Sequence, residues 1–254
     1  MGCTNSRLLT ECPFPFQDRT SDCLCGCAAV FDPAVIGHHG FPDQLAGETA
    51  ALRRRAPALE WPDWVVGAVP VRQLEFYVGR RLALRCLTRL DAGLALGCSP
   101  DRGPVWPEGT VGSVTHDVPR PGAERSAMVC VAAARGPFRW VGLDSESWMS
   151  AEVAREIAGQ AAHPDELRVA GSTLGWEPAR LLTLVFSAKE ALFKATARSL
   201  GRFIDFHDAA LVRVTGSRRH GRFTLVLANP GPLPTHWNGE YRASPDRLHT
   251  LIAA

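Results

Sequence analysis

Apolar positions along the chain follow two different periods, and each predicts its own kind of element. From Gln73 to Leu90, QLEFYVGRRLALRCLTRL repeats Leu74, Val78, Leu82 and Cys86 every four residues, beside Phe76, Leu84 and Leu87. This predicts a helix with one apolar stripe. A Gly/Pro-rich loop follows from Gly97 to Gly109. Three apolar runs then predict strands: VGSVTH from Val111, SAMVCVAAA from Ser126 and WVGLDSE from Trp140. The turn-like PRPGAE and RGPFR between them predict antiparallel neighbours. A helical region starts at Ala151, is interrupted near Pro164 and Gly171, and ends in VFSAKEALFKA, Val185 to Ala195. Strands return as AALVRV from Ala209, FTLVLA from Phe223 and HTLIAA from His249. Residues 1 to 60 carry Pro13, Pro15, Pro33 and Pro42 with no sustained period, and read as irregular.

Helix followed by three strands thus occurs twice. The pattern predicts an α+β fold of two similar α/β halves related by a pseudo-twofold, each a small antiparallel sheet packed with a long helix. The expected organisation is an irregular N-terminal segment over 1–60, packing on or tethered to the first half, a first half over 61–148 and a second over 149–254. If the halves pack together, their interface is the natural place for a site.

Composition adds limits. The 254 residues are 46% hydrophobic and 21% charged, with a formal net charge of +2. That describes an ordinary globular chain and announces neither a nucleic-acid nor a membrane-surface partner. No apolar run approaches the ~20 residues of a membrane span, and no secretory signal pattern opens the sequence. Cys3, Cys12, Cys23, Cys25 and Cys27 crowd one end, while Cys86, Cys98 and Cys130 are scattered. Cys86 and Cys130 lie in apolar runs, where a thiol acts as a small hydrophobe. The simplest reading is a reduced, cytoplasmic protein. C-x-C-x-C over Cys23, Cys25 and Cys27 has no matching second pair, so a metal site there is not expected. Met1-Gly2 followed by Ser6 fits a myristoylation pattern formally, but the motif is short and is set aside.

The chemistry concentrates in two stretches. Asp144 and Glu146 end an apolar strand two residues apart, so both point to one side about 7 Å apart. Two carboxylates so close repel unless a positive group sits between them. Taken alone, D-x-E describes a solvated strand end more readily than a site. In FSAKEALFK, Glu190 and Lys194 are spaced for a helix-surface ion pair. Yet Phe186 and Phe193 flank Glu190 on nearly the same face, which places this acid beside buried surface, where it needs a partner or a metal. With Asp144 and Glu146 it would make three hard oxygen ligands, a set that suits Mg²⁺. Lys189 and Lys194 would then be phosphate partners. In GSVTHD, Ser113, His116 and Asp117 imitate a hydrolase triad, but no nucleophile elbow accompanies them.

The order VGSVTH, VGLDSE, FSAKEALFKA resembles the 4'-phosphopantetheinyl transferases, in their larger pseudodimeric class, the enterobactin synthase component D-like subgroup. VRQLEFYVGR, Val71 to Arg80, resembles that subgroup's basic-E-F-x-x-x-R helix, and SPDRGPVWPEG its K-G-x-P-x-W-P loop. The resemblance runs over roughly residues 70 to 200. It implies that Asp144, Glu146 and Glu190 hold Mg²⁺, with Mn²⁺ as an alternative, and that Glu190 is the base or orients the nucleophile. It implies that His116 and Lys194, with Lys189 nearby, contact the pyrophosphate of coenzyme A, and that Thr115 is among the coenzyme-binding residues. Arg72 and Arg80 would grip the 3'-phosphate, and Arg102 with Gly103 would line the nucleotide pocket. Arg102 stands where the loop usually has lysine, which keeps the charge and alters the hydrogen-bond geometry. Asp117 places an acid directly after the histidine.

The implied reaction moves 4'-phosphopantetheine from coenzyme A to a serine of an apo acyl or peptidyl carrier protein and releases 3',5'-ADP. The implied protein is a monomer with no nucleic-acid partner. Two other readings use the same residues: a Mg²⁺-dependent pyrophosphohydrolase with water as nucleophile, and a coenzyme A-binding, carrier-docking module without turnover.

Overall fold

A computed structural model describes residues 9–16, 23–32, 36, 40–118, 126–200 and 204–254. The chain divides into two compact units, Met1–Pro137 and Phe138–Ala254.

The first unit contains strands β1 (Thr10–Cys12) and β2 (Leu24–Phe31), then helices α1 (Phe41–Arg55), α2 (Asp63–Val66) and α3 (Pro70–Arg89). A two-residue hairpin, β3 (Gly97–Cys98) and β4 (Pro104–Val105), precedes β5 (Thr110–Asp117) and β6 (Ala127–Arg135). The sheet order is β1-β2-β6-β5, antiparallel throughout. β2 and β6 are central and read as nearly unbroken buried runs, LCGCAAVF and AMVCVAAAR. Burial on both faces removes the alternation that marks a half-exposed strand. Helix α3 begins with proline at its first turn, where no N–H is needed. Its expected stripe of Leu74, Val78, Leu82 and Cys86 is at most 1% exposed and packs on β2 and β6. Gly79 lets it come close to β5, since a Cβ there would lie 3.1 Å from Val114 Cγ1.

The second unit contains β7 (Val141–Ser147), α4 (Ala151–Ala161), α5 (Pro164–Leu174), α6 (Pro178–Leu200) and a 3-10 turn at Phe206–Asp208. β8 (Ala209–Gly216), β9 (His220–Leu227), β10 (His236–Ala243) and β11 (Arg247–Ala253) complete it. The sheet order is β7-β11-β10-β9-β8, again antiparallel. β10 alternates as a one-faced strand should, with Trp237, Gly239 and Tyr241 buried between exposed or half-buried neighbours. Helix α6 packs on β7 and β11. Gly142 makes that contact possible, because a Cβ there would sit 1.8 Å from the Ala191 carbonyl oxygen. Among the described residues, no helix is long and apolar enough to cross a membrane.

The α+β class with antiparallel sheets and long packed helices is as expected, but several details differ. Residues 1–60 are not wholly irregular, since they hold β1, β2 and α1. The first two are hidden by the short, cysteine-rich and two-sided burial of their runs. WVGLDSE does not pair with the Ser126 strand; it pairs with the last strand, Asp144 opposite Thr250. The division between units therefore falls at Pro137 rather than at 148, and the D-x-E strand belongs to the second unit. Gly171 lies inside α5, and the break comes at Gly175, in left-handed backbone with φ 56°. The Met1-Gly2 pattern lies outside the described residues.

Candidate active site

In the second unit, the sequence brings acid and base together through one strand–helix contact. Gly142 and Asp144 are two apart on β7 and face α6, and the close approach at Gly142 sets Asp144 against the helix. Asp144 is 1% exposed. Its Oδ2 accepts from Ser187 Oγ at 2.7 Å, and its Oδ1 lies 2.5 Å from Lys194 Nζ. Ser187 is held in turn by Thr250 across the sheet, at 2.9 Å. Glu190 lies between Ser187 and Lys194 along the helix and is half-buried. Burial pushes its carboxyl above the ordinary carboxylate range; Lys194 pulls it down and Asp144 pushes it up. Glu146 follows on the same face of β7, also half-buried.

These are the groups that could hold a hard cation. Three carboxylates on adjacent elements give the oxygen donor set of magnesium. Asp144 and Glu190 repel each other, and the Lys194 ammonium lies beside them with opposite charge. The acids are not drawn into a tight cluster: among the described residues, the group of three ligand-type side chains with all donor atoms within 4.8 Å is Cys25, Cys27 and Cys86.

Lys189 is placed differently from the expectation. It is 4% exposed, and its Nζ bonds Glu166 Oε2 at 2.8 Å and the Ala161 carbonyl at 3.0 Å. Glu166 also accepts from the amides of His163 and Leu211. The pair fastens α6 to α4, α5 and β8, so Lys189 is a strut rather than a phosphate partner. Its neighbour Glu166 had no signal beyond the capping position three residues after His163.

In the first unit, the basic residues sort into two groups. Glu75, 7% exposed, accepts from Arg72 Nη1 at 2.7 Å and lies 3.3 Å from His116 Nδ1. Helix α3 thus presents one carboxylate to both sequence-predicted residues, and Glu75 is the member that sequence reasoning left without a role. It stands in the basic-E-F-x-x-x-R stretch, one turn before Gly79, where the helix lies close to β5. Thr115 and Asp117 alternate to the face of β5 opposite His116. This separates the unexpected acid from the imidazole, and it separates buried Thr115 from it as well.

The second group is aromatic and cationic. Phe76 meets Trp61 and Trp64 edge-on, with centroids 5.0 and 5.6 Å away. Arg80 lies over the Phe76 ring at 4.4 Å, and Arg102 over Trp64 at 5.0 Å. Arg80 is 4% exposed, donates to the Gly97 carbonyl at 3.3 Å, and its buried Nε–H has no partner among the described residues. Burial pulls its guanidinium below the ordinary value, opposed by Cys98 and Glu60. A buried donor left unmet in a cationic side chain is a place for an anion. Beside it an open recess is lined by Glu60, Trp61, Pro62, Trp64, Cys98 and Ser99. Arg102, at φ 68°, closes the turn of that loop by donating its amide to the Ser99 carbonyl, and the Gly103 carbonyl accepts from the Ser99 amide.

Asp144 bonded to Lys194 in one unit, and arginines set against aromatic rings in the other, are the charged features this α+β chain presents. Comparison with known proteins makes the assignment specific. Residues 140–249 match the 4'-phosphopantetheinyl transferase superfamily, and residues 62–123 the 4'-phosphopantetheinyl transferase N-terminal domain. The chain is 34% identical over 220 residues to 4'-phosphopantetheinyl transferase Svp of Streptomyces mobaraensis, covering 81% of this chain and 78% of that one. It is 31% identical over 179 residues to 4'-phosphopantetheinyl transferase PptT of Mycobacterium tuberculosis, covering 69% and 74%. Enterobactin synthase component D of Salmonella typhimurium is 32% identical over 124 residues, 49% of this chain and 48% of its own, so the match spans about half that relative's length. The chain belongs to the 4'-phosphopantetheinyl transferase family.

Proposed function

We propose that the chain, acting as a monomer, transfers the 4'-phosphopantetheine group of coenzyme A to a serine of an apo acyl or peptidyl carrier protein and releases 3',5'-ADP. The observation that carries this reading is the arrangement on β7 and α6: buried Asp144 bonded to Lys194 and Ser187, with Glu190 close enough for their charges to interact. Asp144, Glu146 and Glu190 would hold Mg²⁺ or Mn²⁺, which when bound supplies the positive charge that a pyrophosphate needs before a nucleophile approaches.

The residues then divide the work. Glu190, its carboxyl pushed up by burial, accepts the serine proton as the serine oxygen attacks the β-phosphorus. The bond from that phosphorus to the oxygen bridging to the α-phosphate breaks, and 3',5'-ADP leaves with the electron pair. Lys194 exchanges its bond to Asp144 for a phosphate oxygen. His116, its Nδ1 facing Glu75, offers Nε2–H to the pyrophosphate when protonated. Arg72 and Arg80 bind the 3'-phosphate, which supplies the acceptor that the Arg80 Nε–H lacks. Arg102 and Gly103 border the recess that takes the nucleotide. Carriers of fatty-acid, polyketide and peptide synthases, including siderophore synthases, all present such a serine.

Chromatographic measurement of 3',5'-ADP tests this. Release only when an apo carrier is present is the expected result. Release at the same rate without carrier contradicts transfer and indicates hydrolysis.

A further inference from the structure

The three thiols in the first unit are not explained by the proposed reaction. Cys25 and Cys27 are two apart on β2 and so share a face, the face on which α3 lies. Cys86 comes from the apolar stripe of α3. Their sulfurs all lie within 4.8 Å of one another, and the residues are 0%, 6% and 0% exposed. All three are free thiols. A metal–thiolate bond of about 2.3 Å requires sulfurs about 4 Å apart in a trigonal site, so this spacing needs little adjustment. Arg89, three residues after Cys86 on α3, places Nη1 4.0 Å from Cys27 Sγ. A guanidinium at that distance favours the thiolate, the form that binds metal.

We propose that Cys25, Cys27 and Cys86 form a three-thiolate site for a soft metal ion. The pattern in the sequence was misleading because C-x-C-x-C suggests Cys23 as the third ligand. That residue sits before the strand, at φ 60°, and the third sulfur comes instead from a distant helix. Soft thiolates select Cu(I) and Zn²⁺ over the hard cations that carboxylates hold, so this site does not compete with the acids of the second unit for the same ion. No fourth ligand-type side chain joins the cluster among the described residues, which favours three-coordinate Cu(I) over a closed tetrahedral zinc site. Uptake would release the protons of whichever thiols are still protonated, and Cys27 at the Arg89 end is the route of entry. A bound ion would tie β2 to α3 directly.

The test uses the full chain, reduced and kept free of oxygen, titrated with Cu(I) and, separately, with Zn²⁺ in the presence of a competing chelator. The expected result is one tightly bound ion per chain, a thiolate-to-metal charge-transfer band, and X-ray absorption showing three sulfur neighbours at about 2.3 Å. Zinc with three sulfurs and one oxygen would support the site and change only the preferred ion. Cys86→Ala and Cys25→Ala should weaken binding by more than the 10–100-fold typical of losing a group that only orients a ligand, while Cys12→Ser should leave it unchanged. Absence of stoichiometric uptake, fewer than three sulfur neighbours, or unchanged affinity in Cys86→Ala would overturn the proposal. The wild-type absorption measurement decides the matter even if a variant fails to fold. None of these readouts depends on transferase activity.

Discussion

At the scale of single residues, Glu190 carries opposing demands. Burial raises its carboxyl above the usual value of about 4.3. The folded state therefore holds that proton more tightly than the unfolded chain does. Stability from this group is present at low pH and is lost as pH rises from the ordinary carboxylate value through the raised one. In the proposed transfer Glu190 must be ionised to accept the serine proton, so the rate should rise with pH as it deprotonates. Glu190→Gln is expected to lose roughly 10²–10⁴-fold in rate while its melting midpoint at neutral pH stays level or rises. A thermal scan beside a rate assay checks both, and an unstable variant with normal rate would contradict the assignment. Glu75 makes a different prediction. It lies against His116 and Arg72, which bind the phosphates in the proposed reaction, so Glu75→Gln should raise the KM for coenzyme A and shift its pH dependence, with a smaller effect on kcat. A pH series of both constants measures this.

At the scale of elements, the site depends on how α6 is held. The Lys189–Glu166 pair is buried on both sides at 3% side-chain exposure. Removing one partner by Glu166→Ala leaves a buried charge alone and should cost about 3–5 kcal/mol in urea unfolding. Replacing both by apolar residues of similar size should restore most of that loss. Gly142→Ala would put a methyl group into the Ala191 carbonyl, push α6 off β7 and cost at least about 1–3 kcal/mol. It should also separate Asp144 from Lys194, so activity should fall further than stability explains. The sequence made α3, α6, β5 and β7 legible because each pairs a clear period with distinctive chemistry. β2 was unreadable because it is buried on both faces and built from cysteine, glycine and alanine. β10 is not legible because HWNGEYRA has no β-branched residue. Spacing puts Glu190 and Lys194 on one helix face, while the bond from Lys194 to Asp144 on β7 is visible only in the structure. The inward turn of Lys189 is not legible, because one sequence cannot show that a charge directly beside Glu190 on a helix reaches a buried partner on another helix.

At the scale of the whole molecule, the charges are deployed locally and the net charge of +2 conceals them. Each unit has its own core, and each holds a different part of the chemistry: carboxylates and lysine on β7 and α6, arginines, aromatics and histidine on α3 and the strands and loops around it. Family membership and this division of labour support one account, in which the chain moves phosphopantetheine onto a carrier serine. The most direct test is intact-protein mass spectrometry of an apo acyl carrier protein incubated with this protein, coenzyme A and Mg²⁺, with an EDTA control. The account predicts a mass gain of one phosphopantetheine on the carrier serine that disappears with EDTA. An unmodified carrier, across acyl and peptidyl types and with coenzyme A intact, would contradict it.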